Sequence, residues 1–127
     1  MCIRDRSYTL RPNNGRNTLH GGTRGFSHVE WAWSDSPGLS DSEVGVRFSY
    51  ESKDGEEGFP GALKATVDYI LTSSNEIRME FRATTDKATP VNLCNHTYWN
   101  LRGERRGDIT GHVSACTKFC SAVTGST

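Results

Sequence analysis

Leu63-Lys64-Ala65-Thr66-Val67-Asp68-Tyr69-Ile70-Leu71 puts Leu63, Ala65, Val67, Tyr69 and Leu71 on one side of an extended chain, with Lys64, Thr66 and Asp68 on the other. Successive side chains of a strand point to opposite faces, so this spacing predicts a strand with one buried face. Downstream, Ile77, Met79 and Phe81 alternate with Arg78, Glu80 and Arg82, and Thr72-Ser73-Ser74-Asn75 between the two runs reads as a hairpin connection. Upstream, Val44, Val46, Phe48 and Tyr50 alternate with Gly45, Arg47 and Ser49, and Val29, Trp31 and Trp33 alternate with His28, Glu30 and Ala32. Turn signals separate these runs at Asp35-Ser36-Pro37-Gly38, at Asp54 to Gly61 and at Thr84 to Pro90. Helical spacing is absent from every long window. The expected fold is all-β, with successive antiparallel strands closing a sandwich or barrel.

Composition narrows the function classes. A chain of 127 residues corresponds to one domain or a piece of one. Hydrophobic residues make up 34%, lean but still globular. Fifteen Lys and Arg balance fifteen Asp and Glu, and a net charge of +0 disfavours a general electrostatic grip on nucleic acid or an anionic membrane. No run approaches the ~18 consecutive apolar residues of a membrane span. Residues Met1 to Ser7 hold two Arg and an Asp and have no apolar core of a signal peptide, so a cytoplasmic protein is expected. Without a secretion signal, Cys2, Cys94, Cys116 and Cys120 are not expected to form a disulfide framework.

Two segments concentrate chemistry. In Val91-Asn92-Leu93-Cys94-Asn95-His96-Thr97-Tyr98-Trp99-Asn100-Leu101, a strand would present Asn92, Cys94, His96, Tyr98 and Asn100 on one face. Amide, imidazole and phenol groups side by side suit a ligand rich in hydroxyls, because each donates or accepts in a fixed direction. The competing reading is that His96 is a structural histidine satisfied within the fold. In Asn17-Thr18-Leu19-His20-Gly21-Gly22, two glycines after a histidine permit positive φ and can aim the imidazole into a cleft. The competing reading is an ordinary Gly-Gly turn with an exposed histidine.

Three further clusters read as structure rather than chemistry. Asp54-Gly55-Glu56-Glu57-Gly58 lacks the spacing of a calcium loop and reads as a solvated turn. His112, Cys116 and Cys120 recur at four-residue steps, but no helical pattern and no clear fourth ligand support a zinc site, and no metal is expected. Arg102, Arg105 and Arg106 with Glu104 read as a solvated loop.

Together, Asn17-Thr18-Leu19-His20-Gly21-Gly22, the Asp54 to Gly61 loop and Asn92-Leu93-Cys94-Asn95-His96-Thr97-Tyr98-Trp99-Asn100-Leu101 resemble, in order and spacing, the galactose mutarotase (aldose 1-epimerase) family. The resemblance runs from about Tyr8 to about Val113, so residues 8–113 are expected to be a partial mutarotase-like domain. Residues 1–7 and 114–127 are expected to be non-native or disordered ends. The resemblance implies an antiparallel β-sandwich, the supersandwich, with the sugar in an open cleft. Such all-β domains run ~200–250 residues, so the sandwich is expected to be incomplete here.

The resemblance also implies roles. The histidine matching His96 is the catalytic general acid that protonates the ring oxygen, the one matching His20 binds the sugar, and Thr97 and Tyr98 fall in the matching sugar-contact stretch. The family's base is a glutamate with no counterpart in this sequence, and Glu56, Glu57 and Glu80 do not match it. The implied partner is a small aldohexose, galactose or glucose, without nucleic acid or membrane, and the implied reaction needs neither metal nor organic cofactor. The expected function is aldose 1-epimerase by family, with this chain inactive in isolation. The alternative is a non-catalytic carbohydrate-binding module or a non-functional truncated product.

Overall fold

The alternating runs pair with one another in the order in which they occur. The computed structural model describes residues 2–3 and 6–112, with side chains from residue 6 onward. The strands are β1 (Cys2–Ile3), β2 (Arg6–Ser7), β3 (Ala32–Asp35), β4 (Glu43–Ser52), β5 (Leu63–Thr72) and β6 (Ile77–Thr85). The first two form a short antiparallel ladder, Cys2 facing Ser7 and Ile3 facing Arg6. The other four form one antiparallel sheet in the order β3-β4-β5-β6. The ends expected from residue 114 on, with Cys116 and Cys120, lie outside the described residues.

Register fixes which side chains share a face. Trp33 lies opposite Phe48, Phe48 opposite Val67, and Val67 opposite Phe81, an apolar row across all four strands. Leu63, Ala65 and Val67 are buried on that face, as the alternation predicts. Toward the end of β5 the pattern reverses: Leu71 is 49% exposed, while Asp68 and Ile70 on the opposite face are buried. Ile70 is buried because its partner across the ladder is Gly45, whose missing Cβ would come within 3.0 Å of Ile70 Cγ1. Asp68 is buried because charged and hydroxyl partners converge on it. Ser36 Oγ donates to Oδ1 at 2.8 Å, and Arg47 and Arg82 donate to the same carboxylate. Those bonds hold its pKa down at about 2, with the Arg47 bond as the largest cause.

β3 is shorter than the alternation from Val29 to Trp33 predicts and begins only at Ala32. The chain before it is spent on a single turn of 3-10 helix, Phe26–His28. The Trp31 indole N–H donates to the Phe26 carbonyl at 2.9 Å, which folds Trp31 back onto that turn. Phe26, Trp31 and Tyr50 then form a ring cluster with centroids 5.4 to 6.0 Å apart. The Thr72 to Asn75 hairpin forms as expected, with the Asn75 N–H donating to the Thr72 carbonyl and Asn75 at φ 62, a conformation that asparagine tolerates.

Among the described residues, Val91 to Leu101 enters no ladder, and the conditional strand there does not form. A strand needs a neighbour to receive its backbone groups, and β6 ends at Thr85 with its pairing to β5. The described residues fall into two compact units, one reaching Asn92 and carrying the sheet, the other beginning at Leu93. No helix among them is long and apolar enough to cross a membrane.

Candidate functional site

His20 sits in the first unit, on a loop that the sequence bends to the left. His20 has φ 52, Gly21 φ 82 and Gly22 φ 104, three consecutive residues in a region that L side chains seldom occupy. Gly22 is required twice over: beyond its φ, a Cβ there would lie 2.5 Å from Glu57 Oε2. The loop starts from a small cross-link, with the Asn17 N–H donating to the Asn14 carbonyl at 3.0 Å and the Asn13 N–H to the Asn17 carbonyl at 3.1 Å. Thr18 Oγ1 donates to the Arg11 carbonyl at 3.0 Å. His20 itself is exposed.

The acidic loop is a tie, not the solvated turn expected of it. Each of its carboxylates has named partners. Asp54 accepts the Gly61 N–H at 2.6 Å and pairs with the Lys87 ammonium, and the Lys87 bond is the main reason its carboxyl titrates below the usual range. Glu56 accepts the Tyr50 hydroxyl at 2.9 and 3.0 Å. Burial, and then that bond, push the Tyr50 phenol above its ordinary value. Glu57 accepts the backbone N–H groups of Thr23 at 3.2 Å and Arg24 at 2.9 Å. The sequence signal for this is the density of acids between glycines in an otherwise neutral chain, which reads equally well as a solvated turn.

His96, Thr97 and Tyr98 belong to the second unit, and all three are exposed. The structure brings His96 and Tyr98 together, their rings 5.3 Å apart between centroids and inclined at 57°. Thr97 is fixed through its backbone, its N–H donating to Asn95 Oδ1 at 3.0 Å, an Asx turn that sets the chain between the two rings. Cys94 is an exposed free thiol. Farther along, the His112 ring is used structurally: Nε2 accepts the Leu101 N–H at 3.0 Å and Nδ1 lies 3.1 Å from the Ile109 carbonyl. Both its nitrogens face backbone groups. Arg105 pairs with Glu104, both almost fully exposed, as expected of a solvated loop.

The family model for aldose 1-epimerase matches residues 1–118, a span that includes both histidine segments and the acidic loop. The chain belongs to the aldose 1-epimerase family. The Escherichia coli aldose 1-epimerase is 45% identical over 104 residues, 82% of this chain and 28% of that protein. The human galactose mutarotase is 45% identical over 107 residues, 84% of this chain and 29% of that protein. Among solved structures, an aldose epimerase homologue from C. elegans superposes with a TM-score of 0.67 at 33% identity, over 81% of this chain and 30% of that one. The chain thus spans less than a third of the length of these relatives. Its antiparallel β architecture is that of the aldose 1-epimerase family.

Proposed function

We propose that this chain carries the acid and part of the sugar-binding surface of an enzyme that interconverts the α and β anomers of galactose or glucose. The observation that carries the reading is the family match across both the His20 and His96 segments. In this reading the C1 hydroxyl gives its proton to a carboxylate base while the His96 imidazolium protonates the ring oxygen. The bond between C1 and the ring oxygen breaks to leave an open-chain aldehyde. Rotation about C1–C2 and closure on the other carbonyl face return both protons and invert the anomer. An imidazole suits this work because it gives and recovers a proton near neutral pH.

His20, Thr97 and Tyr98 hold sugar hydroxyls. Tyr98 supports this role by its position beside the His96 ring, where a phenol offers both a donor and an acceptor to a hydroxylated ligand. The base is not Glu56, Glu57 or Glu80. Glu56 and Glu57 are engaged with Tyr50 and with the Thr23 and Arg24 backbone, and Glu80 pairs with Arg78 and Arg82. In this reading the 127-residue chain binds aldohexose without turning it over.

Titration of the chain with galactose, followed by the His20 and His96 imidazole resonances, tests the binding half. Saturable shifts that vanish in His20→Ala support it, and unmoved resonances at high sugar concentration sink it. Polarimetry of α-galactose tests the catalytic half. The isolated chain should leave the spontaneous rate unchanged, and His96→Ala in a complete enzyme carrying this sequence should abolish acceleration. A complete enzyme that keeps its rate after that substitution refutes the acid assignment.

A further inference from the structure

We propose that Asn13 and Glu57 are positioning residues for the His20 imidazole, clamping the two ends of its loop so that a sugar meets an oriented ring. The proposal rests on the sugar-binding reading of His20 given above. Asn13 holds the leading end with three hydrogen bonds. Its Nδ2 donates to the Leu19 carbonyl at 2.8 Å and to the Gly22 carbonyl at 2.7 Å, while its Oδ1 accepts the Leu19 N–H at 2.7 Å. One planar amide thus spans the bend, with His20 and Gly21 looped out between its anchors. Glu57 holds the trailing end, one carboxylate oxygen on the Thr23 N–H and the other on the Arg24 N–H. Bonds from backbone N–H groups to a charged acceptor are stronger than neutral ones. The loop closes on itself at Gly25, where a Cβ would lie 2.1 Å from the His20 carbonyl oxygen.

Backbone strain points the same way. Only four non-glycine residues with left-handed backbones occur among the described residues, and two of them are His20 and Glu57, one at each end of this link. Such residues persist where their surroundings over-determine them, and they gather where a side chain must be aimed. Glu57 is itself fixed. Beside it the Gly55 N–H donates to the Phe59 carbonyl, the Phe59 N–H to the Glu56 carbonyl, and Glu56 grips the half-buried Tyr50 hydroxyl. A rigid strand therefore transmits its position through Tyr50, Glu56 and Glu57 to the His20 loop. A solvated acidic turn would need none of these bonds. Restricting the imidazole before the sugar arrives removes an ordering cost from binding, which is how a residue that never touches the ligand raises affinity.

The test uses the 127-residue chain and three variants: Glu57→Ala, Glu57→Gln and Asn13→Ala. Amide hydrogen exchange, the His20 Cε1–H resonance and the galactose dissociation constant are measured for each. In Glu57→Ala, exchange at Thr23 and Arg24 should quicken by about tenfold or more, since both N–H groups lose their acceptor. The His20 resonance should shift toward its value in an unstructured peptide, and galactose should bind about tenfold more weakly, while exchange at Val67 in the sheet stays unchanged. Glu57→Gln keeps one acceptor oxygen and should recover part of both effects. Asn13→Ala, at an exposed position that leaves the sheet intact, should loosen Leu19 and shift His20 in the same direction. A loosened loop with galactose affinity unchanged, or an unaltered His20 resonance in both alanine variants, overturns the proposal. Exchange and resonance require no sugar. A wild-type chain that ignores galactose therefore overturns the sugar-binding reading and leaves these two readouts to decide the clamp.

Discussion

Arg47 grips Asp68 side-on with two parallel hydrogen bonds, Nε to Oδ1 at 2.8 Å and Nη2 to Oδ2 at 2.7 Å. This paired geometry joins adjacent residues of β4 and β5, which face each other in the ladder, and it lies on the polar side of the sheet. Arg82, opposite Thr66 on the next strand, adds a third donor at 2.7 Å, and Ser36 adds a fourth from the turn after β3. A single carboxylate, 1% exposed, thereby ties three strands and a turn together.

Acid should expose this tie. The Asp68 carboxyl titrates at about 2 in the folded chain against 3.8 ordinarily, so its ionised form favours the fold. Its contribution is complete above about pH 4 and is lost as the pH falls through 2, a loss of about 2 kcal/mol. Glu43, Asp54 and Asp108 are also held below the usual carboxylate range and act in the same direction. Urea unfolding of wild type and Asp68→Asn across pH 2 to 6 separates them. The variant should be less stable by roughly 2–3 kcal/mol at pH 6, with the gap closing toward pH 2. A gap that stays constant with pH would show that Asp68 does not titrate as the geometry requires.

Glycine substitutions should separate backbone conformation from crowding. Gly38 has φ 72 with open space around its missing Cβ, so Gly38→Ala should cost only the left-handed penalty, about 1 kcal/mol. Gly25 has an ordinary φ of −66, yet its Cβ would meet the His20 carbonyl oxygen at 2.1 Å. Gly25→Ala should therefore cost roughly 1–3 kcal/mol through crowding alone, and it should move the His20 resonance while Gly38→Ala does not. Thermal unfolding and one imidazole spectrum of each variant decide the point.

The strands are legible in the sequence because the two faces of β4, β5 and β6 differ in polarity, and a period of two survives wherever one face is covered. The reading fails where burial comes from something other than an apolar neighbour. Asp68 is buried by guanidinium groups and Ile70 by the vacancy over Gly45, and neither cause lies within β5 itself. Trp31 reads as a strand residue and instead caps a helical turn with its indole N–H. The His20 segment is legible as a turn from its glycines, but the partner that fixes it, Glu57, lies 33 and 34 residues from Arg24 and Thr23. No local pattern reports a bond of that span. His96 and Tyr98 keep the side-by-side placement expected of residues two apart, although the strand that suggested it does not form.

Tyr50 should titrate late and matter modestly. Burial and the Glu56 carboxylate both favour its neutral hydroxyl, so its contribution to stability is complete below pH 10 and declines as the pH rises through its elevated folded value. Absorbance at alkaline pH should show one phenol, that of Tyr50, ionising above the ordinary tyrosine range. Tyr50→Phe removes that late step and should cost about 1.5–3 kcal/mol, the value of a hydrogen bond to a charged group, and no more, because the rings of Phe26 and Trp31 still pack on the phenyl.

The apolar face of the sheet should make this chain associate with itself. Along the row from Trp33 to Phe81, Val67 is buried at the centre, but Trp33 is 73% exposed and Phe81 37%. On the same face, beyond the row of Val46, Tyr69 and Met79, the row of Val44, Leu71 and Ile77 is exposed along its whole length. Exposed apolar rows beside the open edges of β3 and β6 favour sheet-to-sheet and edge-to-edge contact between copies. Sedimentation velocity should show association that grows with concentration. Trp33→Thr with Ile77→Thr should reduce it, since threonine keeps the strand preference while removing apolar area. The charged face, where Arg47 and Arg82 pair with Asp68 and Glu80, should be insensitive to the same change. A wild-type chain that sediments as a monomer and unfolds cooperatively would instead show that water tolerates these rows, and would refute self-association through this face.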